Sequence, residues 1–289
     1  MSQPFARRLR ALLALSRVPH LPTVWSNCLA GWWLGGEGNY GKLPLLFLGV
    51  SALYTGGMFL NDAFDADFDR QRRAERPIPS GAISPGAVWR WGLGWLGLGT
   101  LCLAAMGRTT MVLTAVLLVC IFIYDATHKV VTASPWLIGF CRCWVYVIAG
   151  SVGAEGVNGE PVWCGLALAG YVAGLGYLAQ HEGSRQRIPY WPLVLLLTPA
   201  GFAMVMNSAA YRVPAIWLSL VLVFWIALRT RTIFQSAEPS IGHITSGLLA
   251  GIVFVDWLAV APFCPQWLSV VFLILFGATL ALQRLVPTA

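Results

Sequence analysis

Ten stretches of this chain are apolar over nearly the length a helix needs to cross a bilayer, about 20 residues. They run roughly over 18–36, 44–62, 85–105, 109–125, 134–153, 161–180, 190–208, 213–229, 242–262 and 266–284. Such a repeat leaves little room for a water-facing domain. The composition agrees: 57% of residues are hydrophobic and 11% charged, whereas a soluble domain carries about a quarter charged residues. With 14 Trp and 14 Phe the chain is not disordered either. The expected fold is all-α: a polytopic transmembrane helical bundle of nine to ten spans, one integral-membrane domain over 1–289. The two counts differ over 190–208 and 213–229.

The net charge of +7 does not point to nucleic acid, because the basic residues lie in short loops between apolar runs. With the N-terminus in the cytoplasm, one side receives Arg70, Arg72, Arg73, Arg76, Lys129, Arg185, Arg187, Arg229, Arg231, Arg284 and the cluster Arg7, Arg8, Arg10 and Arg17. The other receives only Lys42, Arg108 and Arg212. This is the asymmetry of the positive-inside rule. It places both ends inside, as in a multi-pass protein of a bacterial inner membrane. Residues 1–17 read as a basic amphipathic lead-in rather than a cleaved signal. The seven cysteines are scattered, mostly within apolar runs, and read as small packing residues.

One loop departs from this economy. From Asp62 to Ser84 the chain is long and polar, and long loops in compact proteins are often functional. The second apolar run ends in Asn61-Asp62-Ala63-Phe64-Asp65-Ala66-Asp67-Phe68-Asp69. If the helix continues, Asn61, Asp65 and Asp69 stand at i, i+4 and i+8 and share a face. Asp62 flanks that face, and Asp67 points away. Clustered carboxylates repel, and they sit badly at the negative end of a helix dipole. Either the end is solvated and neutralised by Arg70, Arg72 and Arg73, or a hard cation compensates it. Mg²⁺ is commonly held by one or two carboxylates together with substrate phosphates. Acids at membrane depth generally mark function.

The string Asn61-Asp62-x-x-Asp65-x-x-x-Asp69, followed by Arg76-Pro77-Ile78-Pro79-Ser80-Gly81, resembles the first signature of the UbiA-type intramembrane prenyltransferases. The resemblance implies that Asn61, Asp62, Asp65 and Asp69 bind a prenyl diphosphate through Mg²⁺. Tyr124 and Lys129, at the end of the fourth apolar run, resemble family residues near the diphosphate. Arg17 and Asn27 resemble those that begin the first span. In the family's second acidic motif, typically D-x-E-G-D-R, this chain has Gln180-His181-Glu182-Gly183-Ser184-Arg185. Glu182 and Arg185 keep their places, and Gln180 and Ser184 replace the two acids, which puts a second metal ion in doubt.

What the resemblance implies is a membrane prenyltransferase with its site facing the cytoplasm. Asp62, Asp65, Asp69 and Lys129 would be catalytic. Asn61, Arg17, Asn27, Arg72, Arg73, Tyr124, Glu182 and Arg185 would contact substrate, and Asn61, Asp62, Asp65, Asp69 and Glu182 the metal. The partners would be a prenyl diphosphate, a lipophilic or aromatic acceptor and membrane lipid. Two other readings stand beside it. The loss of two acids from the second motif fits a non-catalytic isoprenoid or lipid carrier. Asp256, deep in the ninth apolar run, fits either a small-solute transporter or a hydrogen-bonded structural acid.

Overall fold

The computed structural model describes residues 11–182, 189–207, 211–236 and 239–286. Each of the ten apolar segments contains helix, and no strand occurs among the described residues. Helix α1 is Leu21–Leu34, α2 Leu43–Phe64, α3 Ala66–Arg72, α4 Pro85–Ala104, α5 Arg108–Thr127 and α6 Ser134–Gly150. Then follow α7 Gly159–Ala179, α8 Trp191–Leu195, α9 Thr198–Met206, α10 Arg212–Gln235, α11 Ile241–Val260 and α12 Gln266–Leu285. Six of them, α2, α5, α7, α10, α11 and α12, are long and apolar enough to cross a membrane.

The 190–208 segment is not one helix. It breaks between α8 and α9, and Pro199 lies in the first turn of α9. A proline cannot donate to the carbonyl four residues back, and its ring crowds that carbonyl. Here that residue is Leu195, where α8 stops. Elsewhere proline starts helices: Pro22, Pro44, Pro85, Pro135 and Pro161 all sit in first turns, where no donor is lost.

Helix α2 packs on α4, while α6 packs on α1, α5 and α7, and α11 touches α1, α7, α10 and α12. Burial follows position. The apolar window of α11 is 72% buried and that of α12 only 17%. Outer side chains such as Trp217, Phe224, Val270 and Ile274 are apolar and exposed, as a lipid-facing surface requires. The contact of α1 with α6 depends on glycine. A Cβ on Gly31 would lie 2.5 Å from the Tyr146 carbonyl oxygen, and one on Gly35 2.3 Å from that of Gly150. This backbone approach brings the middle of α1 against Arg142 and Tyr146. The seven cysteines are all free.

Candidate functional site

The helix does run on through the acidic stretch. Asp65 joins α2 to α3 with near-helical backbone, φ −79° and ψ −7°. The amides of Asp65, Asp69 and Arg73 donate to the carbonyls of Asn61, Asp65 and Asp69. Asn61, Asp62, Asp65 and Asp69 are consequently all buried. Asp67 faces outward, its side chain 89% exposed and paired with Arg70 at 2.6 Å.

After α3 the chain turns back. Ile78 docks in a small apolar cluster with Leu15, Phe59, Ala63, Ala66 and Val88. Gly81 supplies the positive φ of 71° that closes the turn. This return carries Arg76 beneath the acids. Its Nη1 lies 2.9 Å from Asp69 Oδ2 and 3.3 Å from Asp62 Oδ1. Arg17 approaches from the N-terminal side, Nη2 3.4 Å from Asn61 Oδ1 and 3.7 Å from Asp62 Oδ1. Its backbone is left-handed, φ 45°, an uncommon conformation that functional sites often hold.

The end of α5 closes the other wall. Lys129 Nζ lies 2.9 Å and His128 Nε2 3.2 Å from the Asp65 carboxylate. Asn61 Nδ2 donates to Asp125 Oδ1 at 3.2 Å, and Tyr124 stacks on His128. Burial pushes the Asp65 carboxyl up, but the hydrogen bonds from His128 and Lys129 outweigh it and hold the group below the usual carboxylate range. For Arg17, burial lowers the pKa, but the charge of Asp62 together with the smaller pulls of Tyr54, Tyr124 and Asp65 outweighs it, so it is raised.

These groups line one end of a cavity of about 410 Å³ whose lining includes Arg17, Asn61, Asp65, Arg73, Tyr124, Asp125, His128, Lys129 and Gln180. Apolar side chains such as Val24, Leu53, Ile138 and Ile252 continue it into the bundle. A second polar group lies further in. Asp256, fully buried, accepts from Ser26, from Asn27 Nδ2 at 2.8 and 2.9 Å, and from the Tyr146 hydroxyl at 2.5 Å. Asn27 Oδ1 in turn accepts from Arg142 Nη1 at 2.7 Å.

Asp62 and Asp69 do not line the cavity themselves but are joined to it through Arg76, and three further residues differ more from the sequence expectations. Asn27 is not with the acids; both ends of its amide are engaged, with Asp256 and with Arg142. Arg72 is exposed and lies over the Phe68 ring, 4.8 Å from its centroid, outside the cavity lining. Glu182 is exposed, outside that lining, and close to Gly242 at the start of α11. Arg185 lies outside the described residues. Three residues not expected at the site are there: Arg76, Asp125 and His128. The first belongs to the Arg-Pro-x-Pro-Ser-Gly string, and the others flank Tyr124 and Lys129, so each adjoined a noted residue.

Whether these side chains suit a magnesium ion turns on unused oxygens. Asp69 Oδ1 and Asp125 Oδ2 are buried without a hydrogen-bond partner. Among the described residues no group of three acidic, histidine or cysteine side chains could hold a metal unaided. Mg²⁺ does not need one where phosphate oxygens complete its shell. The donor set fits on those terms.

Comparison with known proteins gives a consistent result. The UbiA prenyltransferase family matches residues 21–187, more than half the chain. Digeranylgeranylglyceryl phosphate synthase of Ignicoccus hospitalis is 33% identical over 122 residues, 42% of this chain and 40% of that protein. The chain thus aligns with less than half the length of the first curated relatives it matches. Among solved structures, one of a digeranylgeranylglyceryl phosphate synthase superposes with a TM-score of 0.60 at 16% identity, covering 95% of this chain and 98% of the other. A UbiA homolog from Archaeoglobus fulgidus bound to GPP and Mg²⁺ superposes with a TM-score of 0.50 at 15% identity, covering 95% and 99%.

Proposed function

This chain belongs to the UbiA prenyltransferase family, and from that premise we propose that it is a membrane enzyme moving an isoprenoid group from a prenyl diphosphate to a lipophilic or aromatic acceptor. The observation that carries the reading is the union of two features in one cavity. At its mouth, Asp65 and Asp125 line the cavity with Arg17, Arg73, Arg76 and Lys129, while Asp62 and Asp69 are held on Arg76 just outside the lining; beyond the mouth lies an apolar interior. That is a place for a charged head and a hydrocarbon tail.

The charges suggest how the head is held. Asp62, Asp65, Asp69 and Asp125 oppose four permanent cations, so the mouth is close to neutral before substrate arrives. A diphosphate adds several negative charges, which calls for a divalent cation. Asp65 and Asp69, with Asn61 and Asp62 beside them, would hold Mg²⁺, and the ion would supply charge stabilisation at the leaving diphosphate. Arg17, Arg73 and Lys129 contribute to the same end as hydrogen-bond donors in a low-dielectric site. Arg76 keeps Asp62 and Asp69 together. The apolar walls exclude water from the allylic carbon as its bond to oxygen breaks, leaving the acceptor as nucleophile.

This reading takes nine to ten helical segments as crossing an inner membrane, with the mouth toward the cytoplasm. Helices α1 and α6, at ~21 and ~26 Å by 1.5 Å per residue, fall short of a ~30 Å hydrocarbon core. Most of their residues are buried among neighbours, so lipid need not match their length.

The test is binding of geranyl, farnesyl and geranylgeranyl diphosphates to protein in detergent, with and without Mg²⁺, beside an Asp65→Ala control. Mg²⁺-dependent binding that the substitution removes supports the reading; its absence with all three overturns it. A carrier on the same fold is the second reading. It is favoured by Gln180, which lines the cavity as a neutral amide and donates to Ser134 Oγ at 3.4 Å. Pyrophosphate release on adding acceptor separates the two. Asp256 gives the transporter reading little support, since its oxygens are occupied and it does not line the cavity.

A further inference from the structure

A second cavity, of about 530 Å³, lies at the far end of the bundle from the acids. Three helices run from one cavity to the other. Helix α1 starts beside His20 of the first and ends at Leu34 in the second. Helix α11 brings Thr245 and Leu249 to the first, and Leu258 and Ala259 to the second. Helix α7 begins at Gly159 in the second and ends at Ala179 in the first. Its 21 residues span about 31 Å, close to the thickness of a hydrocarbon core. The two cavities therefore open at opposite membrane boundaries.

The floor of the second cavity is apolar: Leu34, Pro199, Ala203, Val255 and Leu258 are buried there. Its rim is acidic. Glu155 and Glu160 line it and are exposed. Asn158 ties them to the end of α1. Its Nδ2 donates to the Leu34 carbonyl and to Glu155 Oε2, both at 3.0 Å, and its Oδ1 accepts from the Glu160 amide at 2.9 Å. Among the described residues no cation pairs with either carboxylate, and no lysine, arginine or histidine lines the cavity. Arg212, next to the lining residue Tyr211, is exposed and outside that lining. The backbone adds to the same sign. Helices α1, α9 and α11 all reach the cavity with their C-terminal ends, which carry partial negative charge. The one N-terminal end, that of α7, has Glu160 in its first turn.

An apolar cavity with a negative rim at a membrane boundary is complementary to an amphiphile with a cationic head. In bilayer lipids that head is an ammonium. A primary ammonium has three N–H donors and can bridge two carboxylates on one rim. A trimethylated one has none and must rely on aromatic faces. Trp163 and Tyr211 line the cavity and are half exposed, as aromatic residues at a membrane interface commonly are. We propose that this cavity binds an aminophospholipid, its primary ammonium between Glu155 and Glu160 and an acyl chain along the apolar floor. The site requires that the bundle span a bilayer; it does not require the prenyltransferase reading.

The test is native mass spectrometry of the full chain in detergent, loaded with an equimolar mixture of dioleoyl phosphatidylethanolamine, phosphatidylcholine and phosphatidylglycerol. Wild type should retain phosphatidylethanolamine about fivefold over either competitor, the upper range for a partly exposed ion pair. In the double variant Glu155→Gln, Glu160→Gln the preference should fall to within about twofold. Both side chains are exposed, so the melting temperature of the variant should match that of wild type. Mg²⁺-dependent geranyl diphosphate binding, at the other end of the bundle, should not change. Equal retention of the three lipids by wild type overturns the proposal without any variant having to fold. A preference unchanged in the double variant overturns it too, because the lipid then sits elsewhere. So does phosphatidylcholine retained ahead of phosphatidylethanolamine, which would give the head to the aromatic rim and not to the carboxylates. Phosphatidylglycerol retained first would mean that a cation outside this cavity reads the lipid, with the same consequence.

Discussion

The two polar ends of the cavity are built on opposite terms. At the mouth, like charges are crowded onto one helix face, and Asp69 Oδ1 and Asp125 Oδ2 are left without partners. Around Asp256, every carboxylate oxygen is occupied, and the donors come from α1 and α6. An unsatisfied buried group costs stability and persists where a ligand completes it; a satisfied network rigidifies the helices that form it. The mouth should therefore respond to mutation in chemistry, and the inner network in stability.

The largest effect should come from Asp65→Ala. It removes the carboxylate that Lys129 and His128 share, and turnover should drop about 10³-fold, the scale for deleting a preorganised charge-stabilising group. Helix content by circular dichroism should not change. Unaltered turnover would break the contrast at its strongest point. A pH corollary follows from the lowered pKa of Asp65. A depressed carboxyl contributes stability that is present above its unfolded pKa of about 3.9 and is lost only as pH falls through the lower folded value. Diphosphate binding through Asp65 should thus hold constant from about pH 7 to 5. A loss within that window would assign the titrating role to another group.

Asp256→Ala should do the reverse. Ser26, Asn27 and Tyr146 would each lose an acceptor, and an unsatisfied buried donor costs about 1–3 kcal/mol. The melting temperature of the purified protein should fall clearly, while Mg²⁺-dependent diphosphate binding stays within about twofold at temperatures where the variant is folded. Lost binding with an unchanged melting temperature would mean the inner network belongs to the site and not to the scaffold.

Arg76→Gln tests whether the mouth is strained by its own charges. Without the guanidinium, Asp62 and Asp69 face each other unscreened, which raises the cost of ionising both. The melting temperature without metal should fall, and Mg²⁺ should restore more of it than in wild type, since metal binding favours the folded state. Turnover should decrease about tenfold, roughly the weight of one charged hydrogen bond. Equal Mg²⁺ stabilisation of both proteins would show that the acids are not brought together by Arg76.

The same contrast explains what could be read from the chain. Ten apolar runs announce helices because length and hydropathy are local properties, and the break at Pro199 was also local, though a 19-residue window smooths over it. The acidic face is legible because i, i+4 and i+8 need no tertiary structure. Asp125 and His128 adjoin the noted Tyr124 and Lys129, but their contacts with Asn61 and Asp65 could be found only by knowing that the end of α5 faces the end of α2. The inner network joins positions up to 230 residues apart, and no spacing rule reaches that far. Asn27 illustrates the limit: its place at the start of the chain's first span suggested substrate, and packing through Gly31 and Gly35 assigned it to Asp256 and Arg142 instead.

The smallest effect should belong to Asp67→Asn, and it sharpens the comparison most cheaply. Asp67 stands two residues from both Asp65 and Asp69, so any account based on local acidity alone would include it. On the helix it points the other way, 89% exposed, with Arg70 as its partner. An exposed pair of this kind contributes under about 1 kcal/mol. Diphosphate affinity and turnover should stay within about twofold of wild type, since surface changes away from buried features seldom exceed ~0.5 kcal/mol. A tenfold loss would mean that the diphosphate responds to the summed negative charge of the stretch and not to the face that α2 and α3 present to the cavity. In that case the i, i+4, i+8 argument would lose its functional content even though α3 carries on from α2 with near-helical backbone at Asp65.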